Sequence, residues 1–355
     1  MTSPTVDIIV PVWNNLFETR ACLAAILEHS PEARLIIVDN GSSRETELML
    51  EEFSEPLGER GLFIKSERNI GLVPAINMGL ARSDSDFAVI VRPHVVVSAG
   101  WLKALLEDAE TANAGILSPL FTGKNISGLP RPVSGCSMME SCTVSFSVLM
   151  LRSEMRIMTG NFDEGLDGGD WCLKEYVRRT ADKGYRTFIT SRAVVTCGEE
   201  ASFGSAERRI EMINGSRMSY LARWGSACHY VVYFGKETEA GLLGDTVEAI
   251  LDGARQGHCF TLLLLRRQHS DFRRMGWNGL HAGIKLRGLS MLFPQRDLQK
   301  KLTALQEELP GMVPVRGYDG ISFPGANSAI PIGELFEAIR QRSTNIQVQS
   351  MEVTV

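Results

Sequence analysis

Several features that would fix the class of this protein at a glance are scarce or missing. The seven cysteines among 355 residues are odd in number and scattered, with no Cys-x-x-Cys pair. That argues against a disulfide framework or a zinc ribbon and points to reduced thiols in a cytosolic protein. Long apolar runs are absent as well. The longest purely aliphatic one, Leu262 to Leu265 behind Phe260, is far short of the ~20 residues a membrane helix needs. Met1 to Asp7 lack the basic stretch and apolar segment of a secretory signal, so none is expected. No low-complexity segment and no residue-level repeat occurs, which excludes a solenoid. Neither sign of charge dominates: Lys+Arg 37 against Asp+Glu 42 leaves −5, so bulk charge gives no attraction to nucleic acid. Hydrophobic content of 44% and charged content of 22% are those of a chain that buries a core. At roughly 100–200 residues per domain, about two domains are expected.

What is present is an α/β pattern. Val6 to Val12 is an apolar, β-branched run around one Asp, as in a strand buried on both faces. Asn15 with Glu18 has capping-box spacing ahead of a helical stripe from Leu16 to Leu27. A second strand, Leu35 to Val38, stops at Asp39-Asn40-Gly41-Ser42, and Ser42 with Glu45 predicts another capped helix start. Strands at Phe63 to Lys65 and Phe87 to Val91, with a helix from Val73 to Ala81 between them, complete a βαβαβ order and predict a parallel sheet. Ligands of such sheets sit beyond the carboxyl ends of the strands, where Asp39 and Arg92-Pro93-His94 fall. A polar stretch, Thr122 to Ser147, precedes a strand at Val148 to Leu151, a loop-rich region to Gly204 and a helix from Glu207 to Trp224. The pattern then restarts with strands at Tyr230 to Phe234, Phe260 to Leu265, Leu289 to Phe293 and Val313 to Val315. Helices at Leu242 to Ala254, Leu298 to Leu309 and Ile332 to Arg342 accompany them. The expected domains are 1–225 and 226–355.

Seven segments of the first domain occur in a recognisable order. They are Ile8-Ile9-Val10-Pro11-Val12 with Trp13-Asn14, Val38-Asp39-Asn40-Gly41-Ser42, and Asn69-Ile70-Gly71. Ala75-Ile76-Asn77-Met78-Gly79, Gly100-Trp101-Leu102, Phe162-Asp163-Glu164 and Gly169-Asp170-Trp171 follow. Over residues 6 to 205 the chain resembles family 2 glycosyltransferases, inverting enzymes of GT-A fold that use nucleotide-activated sugars. The resemblance implies a UDP-, GDP- or dTDP-sugar donor, with Asp39 accepting hydrogen bonds from the nucleotide and Pro11, Val12, Trp13 and Asn14 walling its pocket. It implies a donor loop at Asn69, Gly71 and Asn77. It also implies that Asp170 removes the proton from an acceptor hydroxyl, with Asp167 as the alternative base, and that Asp163 and Glu164 fix the loop. Residues of these types also have plainer uses: Asp39 closes a turn, Asn69 and Asn77 cap locally, and Trp171 fills a core.

One segment departs from the family. Where two Asp normally flank one residue and hold a divalent cation on the sugar diphosphate, this chain has Arg92-Pro93-His94. The late His of the family is also missing, since residues 196–198 read Thr196-Cys197-Gly198. Magnesium and manganese prefer oxygen ligands, so their usual site is not expected. Two readings stay open. Arg92, with His94 beside it, forks onto the diphosphate and replaces the metal; or the donor site has decayed and the domain is a non-catalytic glycosyltransferase-like binding or scaffolding protein. The expected role is transfer to a glycan or glycolipid acceptor, as in surface polysaccharide synthesis, in the cytoplasm or at the inner face of the membrane. A nucleotidyltransferase fits less well, because no Gly-rich, Arg- and Lys-bearing loop follows the first strand.

Remaining signals carry less. Cys136, Cys142 and Cys172 read as small buried hydrophobes. Arg266-Arg267, Arg273-Arg274 and Lys285 with Arg287 form a basic patch with Phe272 and Trp277 inside it, either a solvated face or a contact for a membrane surface or partner enzyme. Gly235-Lys236 reads as a loop, and the second domain is assigned no chemistry.

Overall fold

In the computed structural model, residues 4–123, 128–199, 205–235, 239, 243–317 and 329–341 are described. Gly204, Lys236, Leu242 and Arg342, which bounded or marked expected segments, lie outside them. The chain divides into two units, Met1–Arg223 and Trp224–Val355, with the expected boundary two residues further on.

The first unit begins β1 (Val6–Val12), α1 (Leu16–His29), β2 (Arg34–Asn40), α2 (Arg44–Ser54), β3 (Gly61–Ser66), α3 (Leu72–Leu80) and β4 (Phe87–Val91). It continues β5 (Val95–Val96), α4 (Trp101–Thr111), β6 (Ile116–Gly123), β7 (Met138–Glu140), β8 (Val148–Arg152), α5 (Ser153–Thr159), α6 (Trp171–Asp182), β9 (Thr187–Cys197) and α7 (Ala206–Trp224). The nine-stranded sheet runs β3-β2-β1-β4-β8-β6-β9-β5, with β7 on β9. β1 to β4 are mutually parallel, while β8 runs antiparallel to both β4 and β6.

The unbroken apolar character of β1, β2 and β4 follows from burial on both faces. Ile8, Val10, Leu35, Ile37, Val89 and Val91 face a core closed by Leu23 and Ile26 of α1 and by Trp101 and Leu105 of α4. The alternate residues Ile9, Ile36, Val38 and Ile90 face a second core closed by Ile76 of α3 and Tyr176 of α6. The one Asp in β1, Asp7, is wholly buried and takes a two-point ion pair from Arg34, with both contacts at 2.8 Å. Burial pushes its carboxyl up, but hydrogen bonds from Arg34, Ser85 and Ser83 outweigh that and hold it below the usual carboxylate range.

Two expected caps do not form. Asn15 takes a left-handed conformation and makes no side-chain cap bond, and α2 starts at Arg44 behind an uncapping Ser43. Ser42 ties loops together instead. The region read as loop-rich contains α5, α6 and the eleven-residue β9, whose alternation of Thr, Ser and Arg with apolar residues conceals a strand buried along one face. Of the three cysteines read as buried hydrophobes, Cys172 is buried, whereas Cys136 and Cys142 are half-buried.

The second unit runs β10 (His229–Tyr233), α8 (Gly244–Arg255), β11 (Cys259–Leu264), α9 (Arg266–Arg274), β12 (Ile284–Gly288), α10 (Pro294–Glu308), β13 (Val313–Arg316) and β14 (Ile330–Pro331), then a helix over 332–341. Its five strands are all parallel, in the order β12-β11-β10-β13-β14. Val232, Phe260, Leu262 and Phe272 pack on one face, and Val231, Leu263, Leu298 and Leu302 on the other.

Two expectations are corrected here. The third strand is Ile284–Gly288, not Leu289 to Phe293. As an edge strand paired only with β11 it alternates apolar with charged residues, and that hid it, whereas the apolar run after it is a loop whose Met291, Leu292 and Phe293 are exposed. Phe272, read as part of a surface patch, is wholly buried, and Trp277 packs edge-on against it with ring centroids 4.9 Å apart. Neither ring is displayed for a membrane.

Candidate active site

The carboxyl ends of β1, β2 and β4, with the loop entering α3, surround one cleft of about 110 Å³. Its walls are Pro11, Val12, Trp13, Asn15, Asn40, Asn69, Leu72, Arg92, Pro93 and His94. Six residues singled out in the sequence meet there: Pro11, Val12, Trp13, Asn69, Arg92 and His94. Asn14, Asp39, Gly71, Asn77 and Asp170 are not among its walls.

After β1 the chain turns through two consecutive left-handed residues, Asn14 (φ 57°) and Asn15 (φ 53°), a conformation Asn tolerates better than other side-chain-bearing residues. The turn aims Asn14 at the neighbouring loop. Its backbone N–H donates to Ser42 Oγ (2.9 Å), and its Oδ1 accepts from the Ser43 N–H (2.7 Å). Asn14 therefore laces the β1–α1 and β2–α2 loops together behind the cleft.

Asp39, the next-to-last residue of β2, is 1% exposed. Its Oδ1 accepts from the Ser42 N–H (2.9 Å), while its buried Oδ2 has no hydrogen-bond partner among the described residues. An orphaned buried carboxylate oxygen is unfavourable unless something else supplies a donor. Asn40, which the sequence reading passed over, organises the segment from Asn69 to Gly71. Its Nδ2 donates to Asn69 Oδ1 (3.2 Å) and the Gly71 carbonyl (2.9 Å), and its Oδ1 accepts from the Ile70 N–H (2.9 Å). The available signal was its position directly after Asp39 at a strand's carboxyl end.

Gly71 (φ 102°) cannot be replaced without strain, because a Cβ there would lie 2.3 Å from Asp167 Oδ2. Asp167 thus reaches across to the start of α3, where its Oδ1 accepts from the Val73 N–H (3.1 Å). Burial pushes its carboxyl up to about 6, against the lowering effects of the Val73 and Leu72 amides and the Arg92 charge. Asn77 faces the opposite way. Buried, it donates to the Phe162 carbonyl and to Glu164 Oε1 (both 2.9 Å) and accepts from the Phe162 N–H (3.1 Å). Its side chain is taken up in pinning α3 to the segment that leads to Asp167 and Asp170. Asp163 closes the turn of that segment by accepting from the Gly165 N–H (3.0 Å).

Beyond β4, the Arg92 N–H donates to the Ser147 carbonyl (3.0 Å), and the Arg92 carbonyl accepts from the Val95 N–H and from Cys22 Sγ. Burial pushes the Cys22 thiol up to about 12, so it stays a neutral donor. His94 Nε2 lies 3.1 Å from Ser147 Oγ.

Asp170 stands exposed at the first turn of α6, and its side chain makes no cap hydrogen bond. Behind it the Gly168 N–H donates to Ser216 Oγ of α7 (3.0 Å), and a Cβ on Gly168 would meet the Met212 carbonyl at 2.3 Å. Trp171 packs against Tyr220 with the rings tilted by 46° and centroids 5.2 Å apart, and carries the Lys174 ammonium 4.3 Å from its ring centre.

The divalent cation implied by the family resemblance does not fit this donor set. Arg92 offers no lone pair, and His94 is an imidazole already engaged by a hydroxyl, where magnesium or manganese requires several oxygens. Among the described residues, no group of three or more His, Cys, Asp or Glu is arranged to hold a metal ion.

Residues 7–154 match the model of the family described as "Glycosyl transferase family 2". Solved structures similar to the chain include GalNAc-T7 with UDP, GalNAc and Mn2+, at 14% identity and a TM-score of 0.51, covering 63% of this chain and 50% of that one. The match therefore spans about half the length of that protein. A mannosyltransferase from Pyrobaculum calidifontis in complex with GDP-Man and Mn2+ aligns at 15% identity and TM-score 0.49, over 72% of this chain and 85% of that one. TarS 1-349 from S. aureus aligns at 14% and 0.47, over 71% and 80%. No curated protein matches. The first unit has a GT-A fold followed by a second α/β domain, and within it residues 7–154 carry the sequence pattern of glycosyl transferase family 2.

Proposed function

We propose that the first unit is an inverting glycosyltransferase that takes a nucleotide-sugar donor without a divalent cation. The observation that carries this reading is the cleft at the carboxyl ends of β1, β2 and β4, which Arg92 lines, from the segment where the family resemblance implies metal-binding carboxylates. The orphaned Asp39 Oδ2 beneath the neighbouring loop suits a hydrogen bond from the ribose or base once the loop admits it. Trp13 and Asn69 line the path of the nucleotide, and Arg92 faces the diphosphate. A guanidinium supplies a fixed positive charge and two parallel donors to a phosphate, so it stabilises the negative charge that grows on the leaving group.

In the reaction, the hydroxyl oxygen of a glycan or glycolipid acceptor forms a bond to the anomeric carbon. The bond from that carbon to the diphosphate oxygen breaks from the opposite side, and its electron pair leaves with the diphosphate. The hydroxyl proton passes to Asp170, which is exposed and carries no cap bond, so its oxygens can meet an incoming acceptor. A second reading has one specific observation in its favour: Asp167, with a carboxyl raised to about 6 beside the donor loop, is poised to exchange a proton near neutrality.

Calorimetry with UDP, GDP and dTDP, each with and without EDTA, tests the donor assignment. Binding of one nucleotide that chelator leaves unchanged is the expected result. Binding that vanishes with EDTA contradicts the role given to Arg92, and failure of all three favours a non-catalytic binding or scaffolding module.

A further inference from the structure

The second unit carries a surface that the transfer reaction does not use. At the carboxyl edge of its sheet, the loop between β12 and α10 displays three consecutive apolar side chains: Met291 at 67% exposure, Leu292 at 76% and Phe293 at 67%. Consecutive exposed large hydrophobics on one loop cost free energy in water.

The surroundings of this tip are cationic. Residues 265–301 hold nine Lys or Arg against two Asp, a net +7 within a chain of −5. Arg266 and Arg267, in the first turn of α9, and Met291 line one open groove of about 510 Å³, and Arg266 Nη1 lies 3.6 Å from Met291 Sδ. Arg296 stands exposed in the first turn of α10. The two acidic residues are neutralised locally: Asp271 accepts from Arg274 (2.9 Å), and Asp297 from Lys301 and the Ser290 N–H (both 2.7 Å). Among the described residues, Arg266, Arg267 and Arg296 form no ion pair.

We propose that this face docks on an anionic lipid bilayer, with Leu292 and Phe293 entering the interface and Arg266, Arg267 and Arg296 contacting headgroup phosphates. A bilayer presents an apolar layer directly beneath a negatively charged one. A protruding apolar tip ringed by cations complements that pair of layers. A protein interface instead surrounds a buried apolar core with a polar rim. The basic patch noted in the sequence is thereby assigned its apolar component, which is the loop after β12 rather than Phe272 and Trp277.

Co-sedimentation of the full chain with vesicles of phosphatidylcholine alone, and of phosphatidylcholine and phosphatidylglycerol in equal parts, tests this. Each cation at an anionic surface is worth about fivefold in partitioning. Binding to the anionic vesicles is therefore expected to exceed binding to the neutral ones by at least about tenfold, and to fall with added salt. Leu292→Asp with Phe293→Asp, and independently Arg266→Glu with Arg267→Glu, each lower it by at least about tenfold with unchanged thermal melting. All four side chains are exposed, so neither pair of substitutions touches the core. Equal sedimentation with both vesicle types, none with either, or retention of binding in both double variants overturns the proposal. Self-association that the Leu292 and Phe293 substitutions abolish, without vesicle binding, also overturns it and assigns the surface to a second copy of the chain. Nucleotide binding does not enter any of these readouts, so they stand apart from the fate of the donor assignment.

Discussion

The parallel strands β1 to β4 of the first unit's mixed sheet and the all-parallel sheet of the second unit end in opposite kinds of surface. In the first unit the carboxyl ends of β1, β2 and β4 gather Trp13, Asn40, Asn69, Arg92 and His94 around a cleft, and hydrogen bonds from Asn14 and Asn40 fix the loops that carry them. In the second unit the corresponding ends of β11 and β12 lead to a basic groove and an exposed apolar tip. The layers beneath are alike, with helices on both faces and cores on both sides. The difference lies in the loops. Where Asn and Ser side chains bond one loop to the next, polar groups are held facing inward. The loop after β12 is tied by the Leu289 N–H to the Leu264 carbonyl and by the Ser290 N–H to Asp297, bonds that leave Met291, Leu292 and Phe293 facing water.

The contrast is open to attack, the largest expected effect first. Asp170→Asn should lower sugar-transfer turnover at least about a hundredfold, as removal of a general base does, with melting unchanged. An equal loss in Asp167→Asn, with Asp170→Asn nearly active, would transfer the proton to Asp167. Arg92→Ala should weaken nucleotide diphosphate binding about 10–100-fold by calorimetry, the range for a lost charge-assisted hydrogen bond. Arg266→Ala in the second unit should leave that binding unchanged. Asn40→Ala should destabilise the chain by about 1–3 kcal/mol in denaturant titration, because it strands the groups Asn40 joins.

A pH experiment isolates Asp167. Its folded carboxyl titrates near 6 against an ordinary 3.8. Folding therefore favours the protonated form: this contribution is complete below about pH 4 and is lost as the pH rises through 6. Ionised Asp167 then costs on the order of 1–3 kcal/mol at neutral pH. Asp167→Asn should flatten the fall in melting temperature between pH 4 and 7, and an unchanged slope would contradict the raised value. Smallest of all, Phe293→Ser should move global stability by less than about 0.5 kcal/mol, as exposed positions do.

Legibility followed burial. Strands β1, β2 and β4 announced themselves because both faces are covered and every residue must be apolar. Among the strands that went unread, β9 and β12 are covered on one side or lie at an edge, so polar residues interrupt them. Leu289 to Phe293 misled for the converse reason: an apolar run at a loop tip has the composition of a buried strand. The motif Val38-Asp39-Asn40-Gly41-Ser42 marked a turn whose Asn40 lines the cleft. It did not show that Asn40 would organise the loop and Asp39 would sit beneath it, since that depends on which way each side chain faces at the strand's last pleat.

The sequence alone determined the alternation of strands and helices, the two-part organisation and the Arg92-Pro93-His94 triplet after the fourth strand, because these are written in local periodicity and residue identity. Only the tertiary structure decided that Arg92 and Asn69 share a cleft, that Asn77 turns inward to Phe162, that Asp167 reaches the start of α3 and that Met291 to Phe293 face water. Each of these depends on contacts between residues far apart in the chain, and no local pattern encodes them.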